Sequence, residues 1–209
     1  MNRRTLGRTF ARLATNAVLL SPRLWRFYRP FIRKQFDEIA GSWDAMRDPD
    51  HLEPYEAALA AVDPAPARAL DLGTGTGQGA FAIARRFPGA EVVGVDLADA
   101  MLAEAKRKTP PELAERVRFE NGDASALAFP DASFDLVAHA NMIPFFDELA
   151  RVLAPGGQTV FAFSLGLGTP IYATPERLKE QLGRRGFTEF AEFDAGKGTA
   201  LLARKGKRA

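Results

Sequence analysis

The feature that most constrains this chain is a short strand running into a glycine-rich turn. Arg68–Leu72 is followed by Gly73-Thr74-Gly75-Thr76-Gly77, with Asp71 at the strand end. Glycines there let the backbone turn sharply and approach a ligand closely. Beyond the turn the sequence alternates. Gly79–Phe87 reads as a helix closed by Pro88-Gly89, and Glu91–Val95 as a strand ending at Asp96. Asp99 is read as the cap of a helix to Lys108, which Pro110-Pro111 stops. Arg116–Glu120 and Phe134–His139 read as strands, Phe145–Leu153 as a helix, and Pro155-Gly156-Gly157 as a turn before a fifth strand, Gln158–Ser164. Thr174 or Pro175 opens a helix to Arg185, and Gly186 stops it. Thr188–Phe193 and Thr199–Ala203 flank Ala195-Gly196-Lys197-Gly198 as a hairpin. Repeated strand–helix units predict a doubly wound α/β domain, its parallel sheet covered on both faces and one antiparallel strand supplied by the hairpin.

Charge divides the chain. Residues 1–36 carry nine basic groups and no acid, and the last six residues add four more basic groups. Residues 37–203 hold the other 15 basic groups and all 26 acids, a net −11. In the first segment Leu6, Phe10, Leu13, Ala17 and Leu20 follow helical spacing, and Ser21-Pro22 breaks the pattern before a second segment, Leu24 to Ile39. Three readings stay open for residues 1–35: a solvated basic helix packed on the domain, an interfacial helix on an anionic membrane, or a nucleic-acid arm. An organellar targeting segment also fits the composition. Cysteine is absent and the two histidines are His51 and His139, which excludes thiolate chemistry and any multi-histidine metal site. No metal is expected, and the chain is expected in the cytoplasm with membrane association open.

In an open parallel sheet the ligand sits beyond the strand carboxyl ends, at the switch point. Asp96 follows Gly75 by 21 residues and suits a ribose diol. Gly75, Gly77 and Ala80 also satisfy a dinucleotide spacing, G-x-G-x-x-A. Asp71 separates the two readings. A carboxylate beside the turn repels a pyrophosphate by about 1 to 4 kcal/mol at about 4 Å, and it attracts a nucleoside with a cationic amino-acid tail.

The blocks Ala69–Gly77, Val93–Leu102, Asn121–Ala124, Phe129–Val137 and Glu148–Gly157 resemble, in order and at normal intervals, those of the class I S-adenosylmethionine-dependent methyltransferases. The likeness runs from about Phe36 to the end. It is greatest to the small-molecule branch that includes quinone-precursor C-methyltransferases, whose opening segment Phe36-Asp37-Glu38-Ile39-Ala40, then Trp43-Asp44, is similar. The resemblance implies a Rossmann-like, seven-stranded, mostly parallel sheet. It divides the chain into a basic amphipathic segment (1–35), lid helices (36–66) and the cofactor-binding core (67–209).

The resemblance also implies roles. Asp71 and the Gly73, Thr74, Gly75 and Gly77 backbone would hold the methionine part of S-adenosylmethionine, and Asp96 the ribose. Leu97 and Met101 would pack the adenine, and Asp123 with Ala124 would meet its amino edge. Ala138, with the rest of 138–140, would face the sulfonium. His139 falls where a general base is useful, or lines the pocket without moving protons. Trp43, Asn141, Met142, Phe145 and Tyr172, with Tyr55 and Phe146, are expected beside a small, apolar acceptor. Asn141-Met142-Ile143-Pro144-Phe145 also resembles the Asn-x-Pro-aromatic turn of amino-methylating relatives, with one extra residue. The expected reaction is in-line methyl transfer, with S-adenosylhomocysteine as product. The alternatives are an N-methyltransferase acting on nucleic acid or protein, or a non-catalytic binder of the same nucleoside. Oligomeric state is not legible.

Overall fold

The computed structural model describes residues 3–207, without the side chains of residues 3–8 and Phe10. The basic groups of Arg3, Arg4, Arg8 and Arg208 and the apolar side chains of Leu6 and Phe10 therefore lie outside the described residues. The strands are β1 (Arg68–Leu72), β2 (Glu91–Asp96), β3 (Val117–Asn121), β4 (Phe134–Ala140), β5 (Leu153–Phe163), β6 (Phe187–Ala195) and β7 (Gly198–Lys205). They form one sheet in the order β3-β2-β1-β4-β5-β7-β6. β1, β2, β3, β4 and β5 pair in parallel, while β7 runs antiparallel to both β5 and β6. The winding starts at β1, goes out to β3 and returns to β4, so the switch point opens between β1 and β4.

Alternation along the strands feeds two apolar layers. Ala69, Val92, Leu136, Ala138 and Val160 face Tyr55 and Leu59 of α3 (Glu53–Ala60), Ile83 of α4 (Gln78–Arg86) and Leu102 of α5 (Asp99–Lys108). Leu70, Val93, Val137 and Phe161 face Leu149 of α6 (Phe146–Val152) and Leu178 and Leu182 of α7 (Pro175–Gly183). Each fully buried Leu, Val or Phe here contributes about 1.5–3 kcal/mol relative to exposure.

Two elements depart from the sequence reading. Pro155-Gly156-Gly157 is not a turn ahead of β5 but lies within it, where the pairing with β4 shifts register between Phe134 and Leu136. A Cβ at Gly157 would stand 2.9 Å from the carbonyl oxygens of Ala154 and Asp135, so the bulge needs glycine there. Asp99 does not cap α5. Its carboxylate accepts from Asn121 and Arg33, and the Ala100 N–H donates to Asp37, 63 residues upstream.

The first segment forms two helices, α1 (Arg3–Leu20) and α2 (Trp25–Ile39), broken at Ser21-Pro22 as expected. They lie over the carboxyl ends of β2, β3 and β4, where Val18 and Trp25 pack with Ile143 and Phe145. The apolar stripe read in α1 is not the packing face: Leu13 and Leu20 are 62% and 81% exposed, and Ala14, Thr15 and Val18 are buried instead. Small side chains let α1 lie close to its neighbours. Among the described residues no helix is long and apolar enough to cross a membrane.

Candidate functional site

A cavity opens at the switch point. Its floor is the β1 turn (Gly73 to Thr76), Asp96 to Ala98 after β2, and Gly122 and Ala124 after β3. Its far wall is Asn141, Met142, Ile143 and Phe145 after β4. The roof is helical, with Trp25, Ile32 and Phe36 of α2, then Trp43, Arg47, His51 and Leu52.

Asp71 organises the floor. It is buried, and each carboxylate oxygen already accepts: Oδ1 from the Tyr55 hydroxyl at 2.9 Å, Oδ2 from Thr74 Oγ1 at 2.6 Å. The Ala80 N–H at the start of α4 donates as well. A Cβ at Gly79 would meet both carboxylate oxygens at 2.8 Å, so only glycine lets α4 start this close. Burial pushes the Asp71 carboxyl up to about 6; the Thr74, Tyr55 and Ala80 donors pull it partly back, and Asp96 adds to the rise. A carboxylate so placed gains most from a neighbouring cation. Gly73 has φ +64°, and a Cβ there would strike Met142 Sδ at 2.8 Å, so Met142 lies directly on the turn.

Asp96 braces the turn from β2. Its Oδ2 accepts from Gly75 N–H at 2.8 Å and its Oδ1 from Ala98 N–H at 2.9 Å. Burial raises its carboxyl also, against those bonds. Leu97 and Met101 line the cavity beside it. Asp123 differs from expectation. Trp25 Nε1 donates to its Oδ1 at 2.8 Å and Arg29 to its Oδ2 at 2.9 Å, so its carboxylate pins the roof and is not part of the cavity wall. Burial raises its pKa, but the bonds from Ser125, Arg29 and Trp25 outweigh it and hold the carboxyl below the usual range.

Arg47 has no local sequence signature and was not foreseen. Its guanidinium lies 4.1 Å over the Trp43 ring, half-buried on the cavity wall, and its Nε has no partner. Burial lowers its pKa to about 10, with Asp44 pulling the other way. Asp44 itself is occupied by Thr76 Oγ1 at 2.6 Å and Lys108 Nζ at 2.9 Å. The cavity lining therefore holds both a half-buried guanidinium whose Nε has no partner and the buried Asp71 carboxylate, which makes no ion pair among the described residues.

Several expected residues fall elsewhere. His139 is fully buried on the other side of β4, edge-on to Phe161 at 4.3 Å, with neither ring nitrogen bonded and no access to the cavity. The base role is corrected accordingly. His51 is the imidazole on the cavity wall: its Nδ1 lies 2.7 Å from the Asp48 carbonyl, which can only accept, leaving Nε2 as the lone-pair nitrogen. Ala138 is buried under α3 and α4, and Ala140 takes its place on the wall. Gly77 packs against Phe119 and Phe81. Tyr172 packs on Phe163 at a separate small hollow near α7, Phe146 stacks on Phe161, and Tyr55 serves Asp71. Asn141 does line the cavity, but its Oδ1 accepts from Ser164 N–H at 3.0 Å and Ser164 Oγ at 3.1 Å, so its carbonyl end ties β4 to β5. Its backbone is left-handed, φ +53°.

Residues 69–157 match the family described as a methyltransferase domain. The chain is 50% identical over 140 residues to the demethylmenaquinone methyltransferase of Thermus thermophilus, which is 60% of this chain and 62% of that protein. It is 34% identical over 143 residues to the ubiquinone/menaquinone biosynthesis C-methyltransferase UbiE of Desulfotalea psychrophila, 63% of this chain and 57% of that one. The chain thus spans less than two thirds of the length of these relatives. In fold it is similar to human N-acetylserotonin methyltransferase in complex with SAM, with TM-score 0.66 and 20% identity over 84% of this chain and 57% of that one.

Two stability measurements check this account. Tyr55→Phe removes a donor from the buried Asp71 carboxylate and should cost about 1–3 kcal/mol in urea denaturation; no loss would mean water replaces the hydroxyl. For His139, burial holds the folded ring near 3, below its ordinary 6.5, so the fold carries it neutral while the unfolded chain protonates. Stability should therefore fall as pH drops below about 6.5, by about 2 kcal/mol between about pH 7 and about pH 5. The His139→Leu variant should lack that component, and parallel pH–stability curves for the two proteins would contradict the neutral buried ring.

Proposed function

The chain belongs to the S-adenosylmethionine-dependent methyltransferases, and from that membership we propose that it transfers a methyl group from S-adenosylmethionine to a small, lipophilic acceptor of the quinone-precursor kind. The observation that carries the proposal is the cavity's charge order. Buried Asp71 and half-buried Asp96 stand at the first two strand ends, and half-buried Arg47, its Nε without a partner, lines the same cavity. A nucleoside with a zwitterionic amino-acid tail matches that order, and a diphosphate opposes it.

Asp71 with the Gly73–Gly75 backbone would hold the ammonium end, and Arg47 the carboxylate. Asp96 would take the ribose hydroxyls; Leu97 and Met101 would pack the base, whose edge falls to the backbone of Gly122 and Ala124. When bound, S-adenosylmethionine supplies a methyl group on a cationic sulfur. The chain's own task is then alignment, which can contribute about 7–11 kcal/mol to such a displacement. Trp43, Met142, Ile143 and Phe145 give the acceptor an apolar wall and exclude water. Where the acceptor must lose a proton, His51 Nε2 is the group on the cavity wall that can take it. The basic segment 1–35 is the part of the chain that would meet an anionic membrane surface carrying such an acceptor.

Transfer of labelled methyl from S-adenosylmethionine into a detergent-solubilised lipid extract containing demethylated naphthoquinols tests the reaction; label in RNA or protein but not in lipid would overturn the acceptor class. Binding tests the site. Arg47→Leu should weaken S-adenosylhomocysteine by about tenfold or more in calorimetry, the loss of one charge-assisted contact. Because free Asp71 titrates at about 6 and the ligand's ammonium favours the ionised form, affinity should be level above about pH 7 and fall about tenfold by about pH 5. Asp71→Asn should flatten that profile, and an unchanged profile in the variant would place the titrating group elsewhere.

A further inference from the structure

α2 is apolar on two sides. Trp25, Ile32 and Phe36 face the cavity. Leu24, Phe27 and Phe31, at i, i+3 and i+7, share a different side, about 130° away around the helix. That second side is solvent-exposed: Phe27 is 56% and Phe31 67% accessible. Leu13 and Leu20 of α1 are exposed as well, and Leu167 joins this region through the Arg12 guanidinium, which donates to its carbonyl oxygen at 3.1 Å. Of the eight large apolar side chains exposed among the described residues, five lie on these two helices and their joint. A monomer has no reason to gather them there.

Charge indicates what covers them. Arg23, Arg26 and Lys34 run alongside the Leu24–Phe27–Phe31 face, and no acid occurs before Asp37. A second copy would bring the same cationic face, and the described residues offer no other exposed apolar patch of comparable extent for it to meet. Nucleic acid would neutralise the arginines but leave the Phe and Leu side chains in water. An anionic lipid leaflet satisfies both: headgroups meet the cations, and the phenylalanines enter the acyl boundary.

We propose that the outer face of α1 and α2, centred on Leu24, Phe27 and Phe31, is a docking surface for anionic phospholipid bilayers. The proposal deepens the reading of the cavity as an acceptor site and rests on it for its purpose. The helices that touch the lipid also roof the cavity, so an acceptor dissolved in the leaflet has a short path beneath them.

The test is co-sedimentation of the full chain with vesicles of phosphatidylcholine alone or with added phosphatidylglycerol, for the natural protein and for Phe27→Ser/Phe31→Ser. Neither phenylalanine touches the cavity. The expected result is binding that requires phosphatidylglycerol, weakens in high salt, and is reduced about tenfold or more in the variant. Absence of phosphatidylglycerol-dependent binding, or equal binding by the variant, overturns the proposal. So does a self-associated natural protein that the variant converts to monomer while vesicle binding is absent. S-adenosylhomocysteine affinity is read in parallel and should match in the two proteins. Failed vesicle binding with that affinity intact removes the docking surface and leaves the methyltransferase reading standing.

Discussion

The site depends on one buried carboxylate. Asp71 has lost its hydration to the sheet, and three donors from separate parts of the chain answer it: Tyr55 on α3, Thr74 in the glycine turn and the Ala80 N–H in the first turn of α4. Leaving such a group unpaired costs several kcal/mol, so the donors are obligatory. Meeting them fixes how α3 lies on the sheet, how tightly the turn closes and how near α4 begins. The same need explains Gly79, where a methyl group would collide with the acid. Yet the donors do not fully offset burial, since the carboxyl still titrates near 6. Part of the electrostatic cost therefore remains at the carboxylate, and a ligand cation would relieve it. Arg47 is the matching case with opposite sign, a guanidinium whose Nε has no acceptor among the described residues and whose pKa burial lowers to about 10.

Strand alternation then decides which side chains share that environment. Leu72 pairs with His139 in the β1–β4 register, and Asp71 pairs with Ala138. His139 therefore sits with Leu72 on the α6–α7 side, among Phe161 and Phe146, while Ala140 falls on the cavity side. A histidine at the right strand end is on the wrong face by one residue. The imidazole that does reach the cavity, His51, comes from an irregular segment with no periodicity to place it.

What was legible follows from this. The strand–helix alternation, the switch point, and the Asp71 and Asp96 positions could be read because each has a local signature: a period, a glycine turn, a spacing. The parity of β4 was misread: all of 138–140 were expected at the sulfonium, but strand alternation turns His139 away from the cavity. The roof was not legible. Trp25 and Arg29 reach Asp123 across 98 and 94 residues, and Asp37 replaces Asp99 as the α5 cap across 63. Such contacts depend on two elements meeting, and neither sequence stretch declares its partner. The α1 stripe misled for a related reason: a helix apolar on more than one side does not tell which side the domain takes.

The roof's attachments differ in strength. Arg29–Asp123 and Arg33–Asp99 are largely exposed at the arginine end, with side chains 48% and 47% accessible. Exposed ion pairs of this kind contribute about 0–1 kcal/mol each. Trp25 is buried and meets Phe145 edge-to-face at 5.2 Å. Its burial and ring contact contribute about 2–4 kcal/mol together. Trp25, which also donates to Asp123 at 2.8 Å, is therefore the firmer attachment of this end of α2, and the exposed ion pairs add little. The Asp71 network, by contrast, is buried among the sheet, the glycine turn and α3, and does not depend on these roof contacts.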